Sequence, residues 1–443
     1  MIELLVISHV LLLYIAYRLF NRDIISPSFL FISGFTIASY IAYCYRIEWG
    51  LGLHANTYFL LTSGSASFLF VEYLYRKKHK ATHNNKIRQQ LSYNKVVNIS
   101  PYKLLFFALL QAVVYYLHYK HQMLFTNANV WADAISEIDH DNKFGDKSFS
   151  LPWYINVPHA FCQCSGYVWI CLFTYYISQP LKNYKIIILL GVNVALSLGG
   201  SFLSGGRMPL LGYLIPLGIM IFSINRFKNR QRKKQRTIKQ QLTIIGFALL
   251  FAGLFSQIGS LLGRHETDTM DAKYVFAVYC GAQIKNIDTY INSNEPRVIN
   301  ESLPCPSTLR YLYDFFNTRL GADIKFKKLQ MDFKYNGKYF LGNVYTCYRS
   351  FYNDIKSGSF LLVGLCSFLA CMLYKKFNKS IFFSTGKIDL NILLYCFFSW
   401  GLFLSFFSEL FLRRLLSIEY FIRTIIYFYI IIYMLYGKKN KMN

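Results

Sequence analysis

The chain has 443 residues, a formal charge of +26 and 54% hydrophobic residues, yet only 16% are charged. That balance excludes a disordered chain, a collagen-like chain and a small disulfide scaffold. With 40 Phe and 36 Tyr, too little polar sequence remains to coat a soluble particle, and the composition points to a polytopic membrane protein rather than a nucleic-acid binder.

A membrane-spanning helix needs about 20 mostly apolar residues, with every backbone polar group paired internally. Eleven stretches qualify, so the predicted fold is all-α, a polytopic membrane helix bundle in one integral membrane domain, residues 1–443. The first, Leu4–Phe20, follows Met1-Ile2-Glu3 and lacks a positive leader and a small-residue cleavage site before Arg18. It reads as a retained helix, and no lipidation motif is visible at either end. Phe29–Tyr45 and Tyr58–Tyr75 follow, then a basic connection over 76–103 (Arg76, Lys77, Lys78, Lys80, Lys86, Arg88, Lys95, Lys103) with no acid. Leu104–Phe125 leads into an acidic segment, 126–150, with Asp133, Glu137, Asp139, Asp141 and Asp146 against Lys143 and Lys147. His159–Ile177, Ile186–Phe202 and Met208–Ile224 come next, and a second basic run fills 226–239. Leu242–Leu262 precedes the one large hydrophilic loop, 263–358, and Ser359–Tyr374, Leu390–Phe407 and Tyr420–Tyr436 close the set.

Lys and Arg in short loops mark the cytoplasmic side. Both basic runs read as anchors against anionic lipid, and RNA binding has no aromatic or motif support. Placing them inside puts the N-terminus out, the C-terminus in, and both 126–150 and 263–358 outside. Arg413 and Arg414 then fall outside, against the rule. The large loop is expected to hold partly amphipathic helices lying on the membrane, because Tyr311, Tyr313, Phe315 and Phe316 recur among charges. Most of the ten cysteines lie within spans, where they act as small hydrophobes. Cys162 and Cys164 lack zinc-finger spacing, and Cys280, Cys305 and Cys347 permit at most one outer disulfide. No GxGxxG, P-loop, HExxH or internal repeat is present.

A transporter places ionisable groups at mid-membrane. Here Glu72, His118 and Lys120 lie close to predicted helix ends, and the notable polar residues gather at the outer boundary. Three clusters stand out there. In Ser204-Gly205-Gly206-Arg207-Met208-Pro209, Arg207 opens a helix whose N-terminus favours an anion; a snorkelling arginine is the alternative reading. Gly263-Arg264-His265-Glu266-Thr267-Asp268 offers a cation and an imidazole suited to general-base work, or an ordinary charged helix end. Asn343 to Asp354 interleaves Tyr345, Tyr348 and Tyr352 with Asn343, Arg349 and Asp354, a sugar-facing surface or an interfacial aromatic belt.

The stretch Asn343-Val344-Tyr345-Thr346, with Arg349, Tyr352, Asp354 and Gly358, resembles the "NVYT…R..Y.D.G" segment of bacterial O-antigen polymerases, the Wzy family. The Ser204-Gly205-Gly206-Arg207 turn is similar to that family's S-G-x-R, and Tyr279-Cys280-Gly281 with Asp288 and Tyr290 is similar to its Tyr-Gly-Asp-Tyr region. Asp354-Ile355-Lys356 departs from the family's D-F-G. The resemblance implies a glycosyltransferase of the bacterial inner membrane that polymerises undecaprenyl-pyrophosphate-linked repeat units at the periplasmic face. It implies no cofactor or metal and no nucleic acid, and a chain-length-determining co-polymerase as partner beside membrane lipid. On this expectation Arg207, Arg264 and Arg349 stabilise the departing pyrophosphate, with Arg319 as a further substrate contact. The base is His265 or Asp354, and Asn343, Tyr345 and Tyr352 hold sugars. A lipid-linked oligosaccharide flippase or other transporter, and an O-antigen ligase, remain the alternatives.

Overall fold

The computed structural model describes residues 1–80, 99–144, 149–180, 182–204, 208–231, 272–293, 303–326 and 333–437. The predicted span Leu242–Leu262, the turn residues Gly205, Gly206 and Arg207, and the pair Arg264 and His265 lie outside the described residues. The described chain is mostly helical: α1 (Ile2–Leu19), α2 (Pro27–Cys44), α3 (Ala55–Lys80), α4 (Pro101–Thr126), α5 (Trp131–Phe144), α6 (Trp153–Ile177), α7 (Tyr184–Phe202), α8 (Met208–Gln231), α9 (Ala272–Asn292) and α10 (Arg310–Leu320). After a short hairpin come α11 (Tyr348–Ile355), α12 (Ser359–Asn378), α13 (Phe382–Thr385), α14 (Leu390–Phe403), α15 (Leu410–Leu416) and α16 (Ile418–Tyr436). Proline at the first turn starts α2 and α4, where its missing N–H costs nothing.

Among the described residues, seven helical stretches are long and apolar enough to cross a membrane, one of them the continuous run Tyr348–Thr385. The helices α3 and α4 coincide with predicted spans and are longer than expected at 26 residues each. They carry buried polar side chains, which lowers their apolar character. The expectation that ionisable groups keep to helix ends therefore needs correction. Because α3 runs on to Lys80, Glu72 sits inside the helix and is fully buried, and His118 in α4 is 3% exposed. His9, Asp23 and His159 are buried as well.

The chain divides into two compact units, each built from three sequence segments. The first comprises Met1–Gln90, Lys273–Asn378 and Phe398–Ile422. In it α3 runs against α12, where small residues let the backbones approach and serines bond across. Ser67 Oγ donates to the Phe360 carbonyl at 2.9 Å, and Ser367 Oγ donates to the Phe68 carbonyl at 2.7 Å. Phe31 stacks on Phe68 at 4.4 Å, and Phe35 meets Tyr348 edge-on at 5.5 Å. Arg76 bridges two buried acids, Glu72 at 2.5 Å and Asp23 at 3.6 Å, and Glu72 also accepts from the Ser28 amide at 2.7 Å.

The second unit comprises Leu91–Ala272, Lys379–Phe397 and Arg423–Asn443. A polar ladder joins α4 to α7: Gln111 Nε2 donates to Asn193 Oδ1 at 2.8 Å, and Ser197 Oγ donates to Gln111 Oε1 at 2.8 Å. Lys103 Nζ caps the end of α16 through the Met434 and Leu435 carbonyls.

Residues 263–358 differ from expectation in one respect. The helix α9 is packed rather than surface-lying, burying Ala277, Cys280, Ile284, Ile287 and Ile291 along one stripe. In contrast, α10 is amphipathic as expected, with Tyr313 its buried residue. The loop also holds an antiparallel hairpin, β1 (Lys334–Asn336) and β2 (Tyr339–Gly342), pairing Asn336 with Tyr339 and Tyr335 with Phe340. All ten cysteines are free thiols.

Candidate functional site

The candidate site lies in the first unit, where the start of α3, the end of α9 and the segment 343–355 meet. The buried stripe of α9 carries Asn286 and Asp288 inward, each about 1% exposed. Both are spent on organising neighbouring chain. Asn286 Nδ2 donates to the Leu341 carbonyl at 3.1 Å and the Val344 carbonyl at 2.9 Å, which pins the stretch around the half-buried Asn343. Gly342 makes the turn into that stretch at φ +72, a conformation that costs glycine little.

Asp288 does more. Its Oδ1 accepts from Thr57 Oγ1 at 2.6 Å and from the His54 amide at 3.0 Å, and Asn292 Nδ2 reaches it at 3.3 Å. Its Oδ2 lies 3.0 Å from His54 Nδ1. The His54 carbonyl accepts the first hydrogen bond of α3, from Tyr58 at 3.1 Å, so Asp288 satisfies a helix-start amide from another helix. Because the Asp288 carboxylate accepts, Nδ1 carries a proton, and in the neutral imidazole Nε2 is then the acceptor. The His54 side chain is 60% exposed while Asp288 is 2% exposed. An accessible imidazole aimed by a buried carboxylate is the arrangement of a general base.

Arg349 opens α11 and is 9% exposed. Its guanidinium lies 4.0 Å over the Tyr345 ring and 5.1 Å over Tyr290, two rings that meet edge-on at 6.0 Å. Aromatic faces on a guanidinium are worth about 0.5–2 kcal/mol each and hold a planar fork in one orientation. Tyr290 donates to Asn353 Oδ1 at 2.9 Å, and Asn353 Nδ2 donates to Ser307 Oγ at 2.7 Å. Thus α9 carries both the acid behind His54 and the platform under Arg349.

The other sequence-derived candidates take different places. Asp354 accepts the Ser307 amide at 2.9 Å on one oxygen and the Thr308 amide at 2.7 Å on the other, so it ties down the turn before α10. Tyr352 is half-buried on the same short helix. Arg319 pairs with Glu419 at 2.7 Å, both side chains being more than half exposed. The Glu419 carboxylate raises the Arg319 guanidinium above its ordinary value. The candidates Arg207, Arg264 and His265 lie outside the described residues.

Sequence reasoning missed two features. His54 and Asp288 are 234 positions apart and carry no shared motif. Around Tyr311, Arg310 lies 4.4 Å from the ring centre and Arg413 lies 5.2 Å from it, while Arg414 sits 3.9 Å over Trp400. The two arginines that broke the topological rule are thus part of a cationic aromatic cluster. Glu409 stands beside it, 9% exposed. Burial pushes its carboxyl up to about 7, against the pull of the Ser350 hydroxyl, Arg310 and Arg413, and with a push from Asp354. Among the described residues, no three His, Cys, Asp or Glu side chains gather as a metal site. Compared with known proteins, the chain matches no family model, no curated protein and no solved structure.

Proposed function

We propose that this chain is a glycosyltransferase of the bacterial inner membrane that joins undecaprenyl-pyrophosphate-linked repeat units into O-antigen at the periplasmic face. In this reading it crosses the membrane eleven times, with its N-terminus outside and C-terminus inside, and works beside a co-polymerase that sets chain length. The observation that carries the reading is on α9: Tyr290 with Tyr345 holds the Arg349 guanidinium, and Asp288, two positions before Tyr290, aims the His54 imidazole.

The reaction needs two kinds of help. As the glycosidic C–O bond to the pyrophosphate breaks, charge grows on the departing phosphate oxygens. Arg349 meets that charge, with Arg207 and Arg264 as further cations, and its fork matches phosphate geometry. The acceptor sugar hydroxyl forms the new C–O bond and gives up its proton. His54 Nε2 takes that proton, and Asp288 stabilises the resulting imidazolium. Asn343, Tyr345 and Tyr352 present amide and aromatic groups to the sugars. Asp354, with both oxygens on backbone amides, shapes the loop.

A lipopolysaccharide gel from a deletion strain tests this. A polymerase defect leaves single repeat units on the surface, a ligase defect leaves none, and a flippase defect strands the repeat inside. Complementation with Arg349→Lys and His54→Ala should each cut long-chain product by about a hundredfold. Full-length polysaccharide from both variants defeats the proposed roles.

A further inference from the structure

The second unit contains a cluster that glycosyl transfer does not use. Tyr115 and His118 lie three positions apart on α4, and His159 and Cys162 lie three apart on α6. Residues so spaced share a helix face. Tyr115, His118 and His159 are 8%, 3% and 6% exposed. The phenolic oxygen of Tyr115, Nδ1 of His118 and Nε2 of His159 are each buried without a hydrogen-bond partner. Such an orphan costs about 1–3 kcal/mol, and three together call for a guest. Neighbouring polar groups on α4 are not left this way. Gln111 is satisfied by Asn193 and Ser197, and Gln122 bonds the Leu203 carbonyl and Trp131. The orphaned groups are therefore a local feature, set between two satisfied rungs.

The ring geometry suggests what the guest is. The His118 and His159 centroids are 4.5 Å apart at 89°, and Tyr115 lies 5.9 Å from His159. An imidazole nitrogen binds zinc at about 2.0–2.1 Å, which puts the metal roughly 3.2 Å from each ring centre. Two such vectors ending 4.5 Å apart open an angle of about 90°, within reach of a tetrahedral site. Pairs of ligands three residues apart on facing helices are how helix bundles build metal centres. Cys162, 1% exposed, packs in one cluster with Tyr115 and closes the cluster on the α6 side.

We propose that Tyr115, His118 and His159 bind one divalent d-block cation, with zinc as the reference ion, between α4 and α6. Binding releases the phenolic proton of Tyr115 to solvent, so the phenolate offsets part of the buried charge and both imidazoles bind as neutral ligands. The site is independent of the polymerase reading and clamps two helices of the second unit together.

The test uses the full-length protein in nanodiscs, stripped with a chelator and titrated with cobalt(II) as the probe. One equivalent per chain with visible d–d absorption is expected, displaced by zinc. His118→Leu and His159→Leu should abolish that absorption. His121→Leu should keep it, because the His121 ring, on the next turn of α4, lies 5.6 Å from Phe149. Tyr115→Phe removes a single oxygen, stays folded, and should weaken binding by about tenfold or more. The proposal is overturned if the wild type takes up no stoichiometric cobalt, which would leave ordered water as the guest. It is equally overturned if Tyr115→Phe and both His→Leu variants bind as the wild type does.

Discussion

Replacing Glu409 with glutamine isolates the cost of ionising a carboxyl inside the first unit. The folded protein holds this group at about 7, against an ordinary value of 4.5. Below about pH 4.5 the group is neutral in both folded and unfolded chains and imposes no penalty. As pH rises from about 4.5 to 7, the unfolded chain ionises while the folded chain resists, so stability falls over that window and levels off above it. The full penalty is the gap of about 2.5 pH units, or roughly 3 kcal/mol. Glutamine is neutral at every pH and keeps the shape. At about 2.1 cal/mol/K per residue, a chain of 443 residues has an unfolding entropy near 0.9 kcal/mol/K. The variant should therefore nearly match the wild type at pH 4 and melt about 3 °C higher at pH 8. Thermal unfolding of both proteins in one detergent, across that range, reads the difference directly. A gap that stays constant with pH would refute the argument, as would a wild type that gains on the variant as pH rises.

Other expectations follow from single contacts. Asp288→Asn keeps the volume but replaces one acceptor oxygen; under the proposed function, polymer yield in a reconstituted assay should drop by at least about a hundredfold while the protein remains in the membrane. Arg76→Ala leaves Asp23 and Glu72 buried without their cation, and the loss of stability should be about 3–5 kcal/mol, seen as a lowered melting temperature. At Gly64 a methyl group would run into the Tyr348 hydroxyl, with ring carbons 2.6 Å away. Gly64→Ala should cost about 1–3 kcal/mol of overpacking, whereas Gly199→Ala, with nothing within 4 Å, should be neutral or gain a little in the same melting assay.

Much of the helical frame was legible because apolar length is a local property. Predicted spans such as Phe29–Tyr45 and Ile186–Phe202 fall on α2 and α7 to within two residues. The helix α9 was overlooked because Lys273, Lys285, Asn286 and Asp288 dilute its apolar content. Its buried residues at 277, 280, 284, 287 and 291 nonetheless repeat with helical spacing. The aromatic setting of Arg349 was readable in the run from Asn343 to Asp354, since Tyr345 stands in the same stretch. The His54–Asp288 pair was not, because it exists only once α9 docks on the start of α3. Glu72 misled for a related reason. Hydropathy ends where charged residues begin, but a helix can continue past that point, and α3 does so to Lys80.

One carboxylate ties together two things that enzymes often keep apart. Asp288 satisfies the amide at the start of α3 and also aims the imidazole of the same residue. If His54 is the base proposed above, it is armed only when α9 is seated, and a chain with α9 displaced would lose that role together with its helix start. Under the proposed function, a half-assembled protein would thus be silent, unable to abstract protons from lipid-linked sugars before its own fold is complete.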